Sequence, residues 1–192
     1  SIRKSLGQEI LITSHDNVGI NPSSRVWQDV QELHSLIQNV KEHQHSDIYR
    51  CPECKDDLEK VVALYRGDFL EGVNLRDCPE FDDWQYQKRE EFNADLSATL
   101  EKLSHAYSTN EEWEKAIQIA RRWVNLDRLN ERAHQLLIQI YALAGQRSTA
   151  LRQYEECVRC LQDELGQSPE KETIALVQNI QTGEIGQSIG QS

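Results

Sequence analysis

The chain has 192 residues, 38% hydrophobic and 28% charged, with only 9 Gly and 4 Pro, which leaves little room for a turn-dense sandwich or barrel. Its net charge of −11 is concentrated in residues 51–96, which carry 13 acidic and 6 basic side chains, and this argues against a surface devoted to nucleic acid. No apolar run approaches the roughly 20 residues of a membrane span and nothing reads as a signal peptide, so the expected location is cytoplasmic.

The opening Ser1-Ile2-Arg3-Lys4-Ser5-Leu6-Gly7 reads as the end of a helix without an initiating Met, so the chain is expected to be part of something larger. Ile10–Thr13 and Val18–Ile20 are short β-prone runs flanking the turn residues Ser14-His15-Asp16-Asn17, which predicts a small hairpin. From Val26 the apolar period becomes helical, through Trp27, Val30, Leu33, Leu36, Ile37 and Val40. A polar, His-rich stretch over 41–50 breaks it, and Pro52 suits the first turn of the next helix. That helix carries Leu58, Val61, Val62 and Tyr65 and stops at Gly67-Asp68. After a loop over 69–80, one long helix is predicted from Phe81 to about Ser108. Three more follow near 111–126, 131–144 and 148–165, with Asn110 and Asn130 as N-caps and Gly145 and Gly166 as terminators. A last helix is predicted to start at Ser168-Pro169-Glu170 and run to Gln181. The Gly/Ser/Gln-rich residues 183–192 read as a flexible tail or linker.

The most informative feature is an internal repeat. A shift of 34 residues brings Leu103 onto Leu137, Tyr107 onto Tyr141, Ala116 onto Ala150, Ile117 onto Leu151 and Val124 onto Val158. Trp123 and Leu126 fall on Cys157 and Cys160. This period, with large, aromatic and small residues in that order, is the tetratricopeptide signature. A small Ala lets the second helix of a pair approach the first, Leu and Tyr fill the space between them, and each pair leaves an apolar face for its neighbour. The fold expected is all-α, a tetratricopeptide-like array with a small N-terminal β-hairpin.

The run Leu64-Tyr65-Arg66-Gly67-Asp68-Phe69-Leu70-Glu71-Gly72 resembles the bacterial transcriptional activator domain of antibiotic-regulatory-protein-type regulators. The likeness continues through Phe81-Asp82-Asp83-Trp84, Arg89, the two repeats and Leu151-Arg152-Gln153-Tyr154. It closes on Glu164-Leu165-Gly166 and Ser168-Pro169-Glu170. In that family the helical module follows a winged-helix DNA-binding domain. The resemblance implies that residues 1–25 are the C-terminal remnant of such a domain, with Arg3 and Lys4 on the tail of its recognition helix and the hairpin as its wing. It implies that residues 26–182 are the helical module and that 183–192 is a tail or linker. DNA would be reached only through the fuller winged-helix domain. The helical array would contact neighbouring domains, a second protomer or another protein.

Five Cys, an odd number, point to thiols or metal ligands before structural disulfides. His43 and His45 followed by Cys51 and Cys54 have ligand types at zinc-like spacing, since cysteines three apart at a helix start can face one ion. The alternative is a pair of reduced thiols beside a solvated loop. Cys157 and Cys160 sit at repeat positions and read as core, and Cys78 beside Pro79 suggests no role. Arg121, Arg122 and Trp123, with Arg128, Arg132, Arg147, Arg152 and Arg159, suggest either a basic groove for an acidic partner or ordinary local pairing with Glu and Asp. The acidic groups at 56–59, 80–83, 90–91, 111–114 and 163–164 read as solvated helix faces, with no nucleophile or phosphate loop beside them. No catalytic residue is expected and the chain reads as a non-enzyme. The favoured reading is a regulatory interaction module. A zinc- or thiol-dependent sensor and a stand-alone tetratricopeptide adaptor are the alternatives.

Overall fold

A computed structural model describes residues 10–13, 18–21, 23, 24 and 26–185. The chain divides into two compact units, residues 1–35 and 36–192. In the first, β1 (Leu11–Thr13) and β2 (Val18–Ile20) pair antiparallel with Leu11 opposite Ile20 and Thr13 opposite Val18. The bond from Asn21 N–H to the Ile10 carbonyl, at 2.7 Å, extends that register past the strands. Arg3 and Lys4 lie outside the described residues.

Seven α-helices follow among the described residues: α1 (Asp29–Glu42), α2 (Pro52–Leu64), α3 (Pro79–Thr109), α4 (Trp113–Leu126), α5 (Glu131–Leu143), α6 (Arg147–Leu165) and α7 (Lys171–Thr182). A single 3-10 turn, Ile48–Arg50, precedes α2. Helix α1 begins at Asp29 rather than Val26, because the first helical bond runs from Glu32 N–H to Gln28 O and Asp29 and Glu32 place their charge on the first turn. Helix α3 starts two residues before Phe81, since Pro79 takes the first position, where its missing N–H costs nothing.

The core of the second unit is the repeat made physical. Leu103, Leu137, Tyr107, Tyr141, Ala116 and Ala150 are all buried, the two alanines at 0% exposure. Trp123 and its equivalent Cys157 are buried as well, and so is Cys160. The links inside the two helix pairs are also equivalent. Glu112 N–H donates to Tyr107 O at 2.9 Å and Gln146 N–H to Tyr141 O at 2.8 Å. The residue before each donor is left-handed: Glu111 at φ 59° and Gly145 at φ 75°.

Glycine adopts that conformation without penalty, whereas a Cβ brings strain of about 1–2 kcal/mol. The first link is therefore strained where the second is not. Glu111→Gly is expected to raise stability by about 1 kcal/mol after the entropy glycine adds to the unfolded chain. A urea midpoint that falls instead of rising would count against this.

Two helix ends differ from expectation. Asn110 does not cap α4. It closes α3, its Nδ2 donating to Ala106 O at 2.7 Å, because the left-handed Glu111 turns the chain before α4 begins. Ser168 does not cap α7 either, which starts at Lys171. The α7 N-terminus is instead capped from another helix: Glu131 accepts from Glu170 N–H at 2.7 Å and from the Thr173 hydroxyl. A carboxylate on the positive end of a helix is favoured by both hydrogen bonding and the dipole. Asn130 does cap α5, its Oδ1 accepting from Ala133 N–H at 3.1 Å, and Gly166 ends α6 at φ 65°.

His134 occupies the middle of this core at 1% exposure. Its Nε2 lies 3.1 Å from Arg128 O and its Nδ1 2.9 Å from Gln153 Nε2. A carbonyl can only accept and an amide NH2 can only donate, so the ring is the neutral Nε2–H tautomer. Burial, first, holds its pKa below the ordinary 6.5, against the opposing pull of the Arg128 carbonyl, Glu156 and Glu131. The unfolded chain then takes up a proton that the folded chain refuses. Stability is fully present above the unfolded pKa and falls as pH drops through about 6.5 toward the folded value. His105 is shifted the same way, again by burial first. His134→Gln is expected to shrink, without abolishing, the loss of stability between about pH 6.5 and 5, read from urea midpoints at each pH.

Candidate functional site

Helix α1 ends at Glu42, and His43 N–H continues its ladder to Asn39 O at 2.9 Å. The chain then returns through the 3-10 turn, whose first N–H groups are held by Asp47: its carboxylate accepts from Tyr49 N–H at 2.9 Å. The Tyr49 ring packs at a tilt against His105 with centroids 5.1 Å apart, and the Tyr49 carbonyl accepts from Asn110 Nδ2 at 3.3 Å. This fixes the point at which Cys51 becomes the N-cap of α2, with Pro52 at its first position. One turn of helix then places Cys54 on the same side as Cys51 and in the core, at 1% exposure.

Ligand atoms of His43, Cys51 and Cys54 lie within 4.8 Å of one another. Two sulfurs and an imidazole converging from two helix ends are chemically a soft-metal ligand set. Burial, and then the hydrogen bond with Cys51, pushes the Cys54 thiol up to about 11, so without a cation it is a protonated thiol at neutral pH. His45 is not in this group. Its Nδ1 lies 2.6 Å from the His43 carbonyl and its ring stands edge-on to the His43 ring, centroids 5.7 Å apart. Glu53, which the sequence did not single out, brings Oε2 to 3.3 Å from His43 Nε2. All five cysteines are free thiols.

The arginines resolve into structural roles rather than an open basic groove. Arg122 donates to Val62 O at 3.0 Å and Tyr65 O at 2.6 Å, closing the carbonyl end of α2. Arg121 donates to the Tyr141 hydroxyl at 2.6 Å and lies over that ring. Arg128 and Arg159 meet Glu156, Arg132 meets Glu101, Arg147 reaches Gln181 O and Arg152 the Thr149 hydroxyl. Trp123 faces the core, donating from Nε1 to Ser97 Oγ at 2.7 Å. Several acidic residues are absorbed similarly: Glu59 accepts from the Tyr107 hydroxyl at 2.6 Å, while Lys55 and Lys115 bind Glu112 and flank the Tyr107 ring.

The loop between α2 and α3 is built by two side chains of α3. Arg89 Nε donates to Phe69 O at 3.0 Å, and Gln85 Nε2 donates to Leu70 O at 2.7 Å and Val73 O at 3.2 Å. The Phe69 ring packs on Phe92 and Trp84, and Phe81 also meets Trp84. Val73 and Leu75 on this loop, and Trp84 and Tyr86 on α3, remain exposed, from 42% for Trp84 to 65% for Tyr86. The run Val73-Asn74-Leu75 carried the signal, as apolar residues in a loop with no period to bury them.

Among the described residues no helix is long and apolar enough to cross a membrane. No curated protein matches the chain. The bacterial transcriptional activator domain matches residues 28–181, a stretch that takes in His43, Cys51 and Cys54, the aromatic contacts around Phe69, both helical repeats and α7 as far as Gln181. It is a regulatory family rather than an enzyme family, and its span covers most of the array just described. The chain belongs to the bacterial transcriptional activator domain family.

Proposed function

We propose that this chain is the regulatory interaction module of a bacterial transcriptional activator, making interdomain or protein–protein contacts that support assembly on DNA. The observation that carries this reading is the exposure of apolar side chains at the α2–α3 connection, Val73 and Leu75 on the loop and Trp84 near the start of α3, beside a loop backbone held by Arg89 and Gln85. Exposed apolar side chains beside a held backbone are what a protein partner covers. In the same reading, residues 1–25 are the remnant of a winged-helix domain with β1–β2 as its wing, residues 26–182 are the module, and 183–192 are a tail or linker. Arg3 and Lys4 would be the remnant's phosphate contacts, and the setting would be the cytoplasm. Family membership favours this over a stand-alone adaptor.

Specific DNA reading needs a supported helix in the major groove with several cations on phosphates. Two basic residues on a chain of net charge −11 supply too few. Anisotropy titrations at one salt concentration, on a promoter fragment and on random DNA, test the reading. The present chain is expected to show no preference between them, and a longer natural chain carrying the upstream winged-helix sequence is expected to prefer the promoter. In that longer chain, Val73→Ser with Leu75→Ser is expected to weaken cooperative occupancy while leaving single-site affinity unchanged. Strong promoter selection by the present chain alone would mean that the helices themselves read DNA.

A further inference from the structure

We propose that Cys51, Cys54 and His43 bind one zinc ion that clips the end of α1 to the start of α2, with His45 turning in as the fourth ligand. Such a site would be independent of the regulatory role. The three ligand atoms are already within 4.8 Å of one another, a spacing that a tetrahedral ion with Zn–S near 2.3 Å and Zn–N near 2.0 Å would close with small side-chain movements. Their positions are set by backbone rather than by flexible stems: Cys51 is the N-cap of α2, Cys54 is on its first turn, and His43 ends the α1 ladder. Two soft sulfurs select zinc over the hard cations that carboxylate clusters attract.

Charge also closes. Binding converts two thiols to thiolates and releases two protons to solvent, so the Zn2+ ion with two thiolates and neutral imidazoles carries no net charge. A neutral site can sit against the buried Cys54 without an uncompensated ion. Structural zinc sites are filled by four N or S ligands, and two residues compete for the fourth place. Glu53 is close, at 3.3 Å from His43 Nε2, but its side chain is 78% exposed and would leave the site with a net negative charge. His45 lies on the same loop as His43, with Nδ1 directed at the His43 carbonyl. A carbonyl partner on Nδ1 sets the tautomer that leaves Nε2 free to take the metal once the ring turns in.

A redox pair is the competing chemistry for a Cys-x-x-Cys at a helix start. It would use the two sulfurs and leave His43 without a part, whereas the metal uses all three groups.

The test is a zinc titration of chelator-stripped protein, in reductant, against a chromophoric chelator, with metal content measured on protein purified without chelator. About one zinc per chain is expected, with proton release on binding and loss of thiol reactivity toward a disulfide reagent. Cobalt in its place should give the intense visible bands of a tetrahedral site and a thiolate charge-transfer band. Cys54 is buried, so Cys54→Ser tests folding together with binding; Cys51 and His43 are only partly buried, and Cys51→Ser and His43→Ala are each expected to weaken binding by about 100-fold or more. His45→Ala should weaken it and Glu53→Gln should not. The reverse pattern for that pair would overturn the His45 assignment. A metal-free wild type with two reactive thiols, a Cys51–Cys54 disulfide that excludes zinc, or octahedral cobalt would overturn the site.

Discussion

Trp123→Ala is expected to destabilise the helical array by about 3–5 kcal/mol. The indole is 2% exposed in the core of α4, and its Nε1 donates to Ser97 of α3. Truncation removes the apolar surface of the ring, leaves a cavity between two helices and strips Ser97 of its donor. A small domain is stable by only about 5–15 kcal/mol, so the variant sits close to unfolding at ambient temperature. Trp123→Phe separates the contributions: it keeps most of the ring volume, loses the hydrogen bond, and is expected to cost about 1–2 kcal/mol. Urea unfolding followed by circular dichroism measures both. A loss below about 1 kcal/mol for the alanine variant would mean that α3 and α4 close over the vacated space, and that the indole is not the support its burial implies.

The same residue shows what the sequence made legible. A shift of 34 residues placed Trp123 on Cys157, and both are buried. Spacing alone also suggested Trp123 for a basic aromatic groove beside Arg121 and Arg122, and there the linear pattern misleads. On a helix, neighbours in sequence point about 100° apart, so Trp123 turns inward while Arg122 reaches the end of α2. The repeat is readable because it is a periodic demand on volume, imposed identically on each pair. Arg122's partners are not readable, because they are carbonyls some 60 residues away.

Helix ends divide along the same line. Asn130 was legible because its cap is local, bonding three residues ahead. Asn110 was not, since the strained turn at Glu111 decides which helix it serves. Nothing near Ser168 says that Glu131 will take over the α7 N-terminus from another helix.

The His43, Cys51 and Cys54 group falls between these cases. Cys51 and Cys54 are a local pattern, and a helix start brings them to one side. His43 reaches them only because the Ile48–Arg50 turn folds the connection back. The approach of Glu53 to His43 depends on that fold and left no mark in the sequence.

Replacing Ala116 and Ala150 by Leu is expected to cost about 1–3 kcal/mol at each site and about 2–6 kcal/mol together. Both residues have 0% exposure, and both donate their N–H to the residue capping their helix, Glu112 and Gln146, at 3.0 Å. They therefore hold the same place in the first turn of α4 and of α6, where each helix comes against the one before it. Leu matches Ala closely in helix propensity, so the loss reports the missing space between helices and not a weakened helix. Near-equal losses would show that the two pairs are packed alike, as the 34-residue period requires. The double variant then reports how the array unfolds. If the pairs melt together, the two losses add in a single transition and the unfolding slope with urea is unchanged. If each pair melts by itself, the double variant shows two transitions, as weakly coupled repeats do. The α7 contacts through Glu131 and the α2 contacts through Arg122 tie both ends to the repeats, which favours one transition. A tolerated Leu at either site, with stability unchanged, would mean that the alanines are not the points of close approach and that the repeat register is wrong.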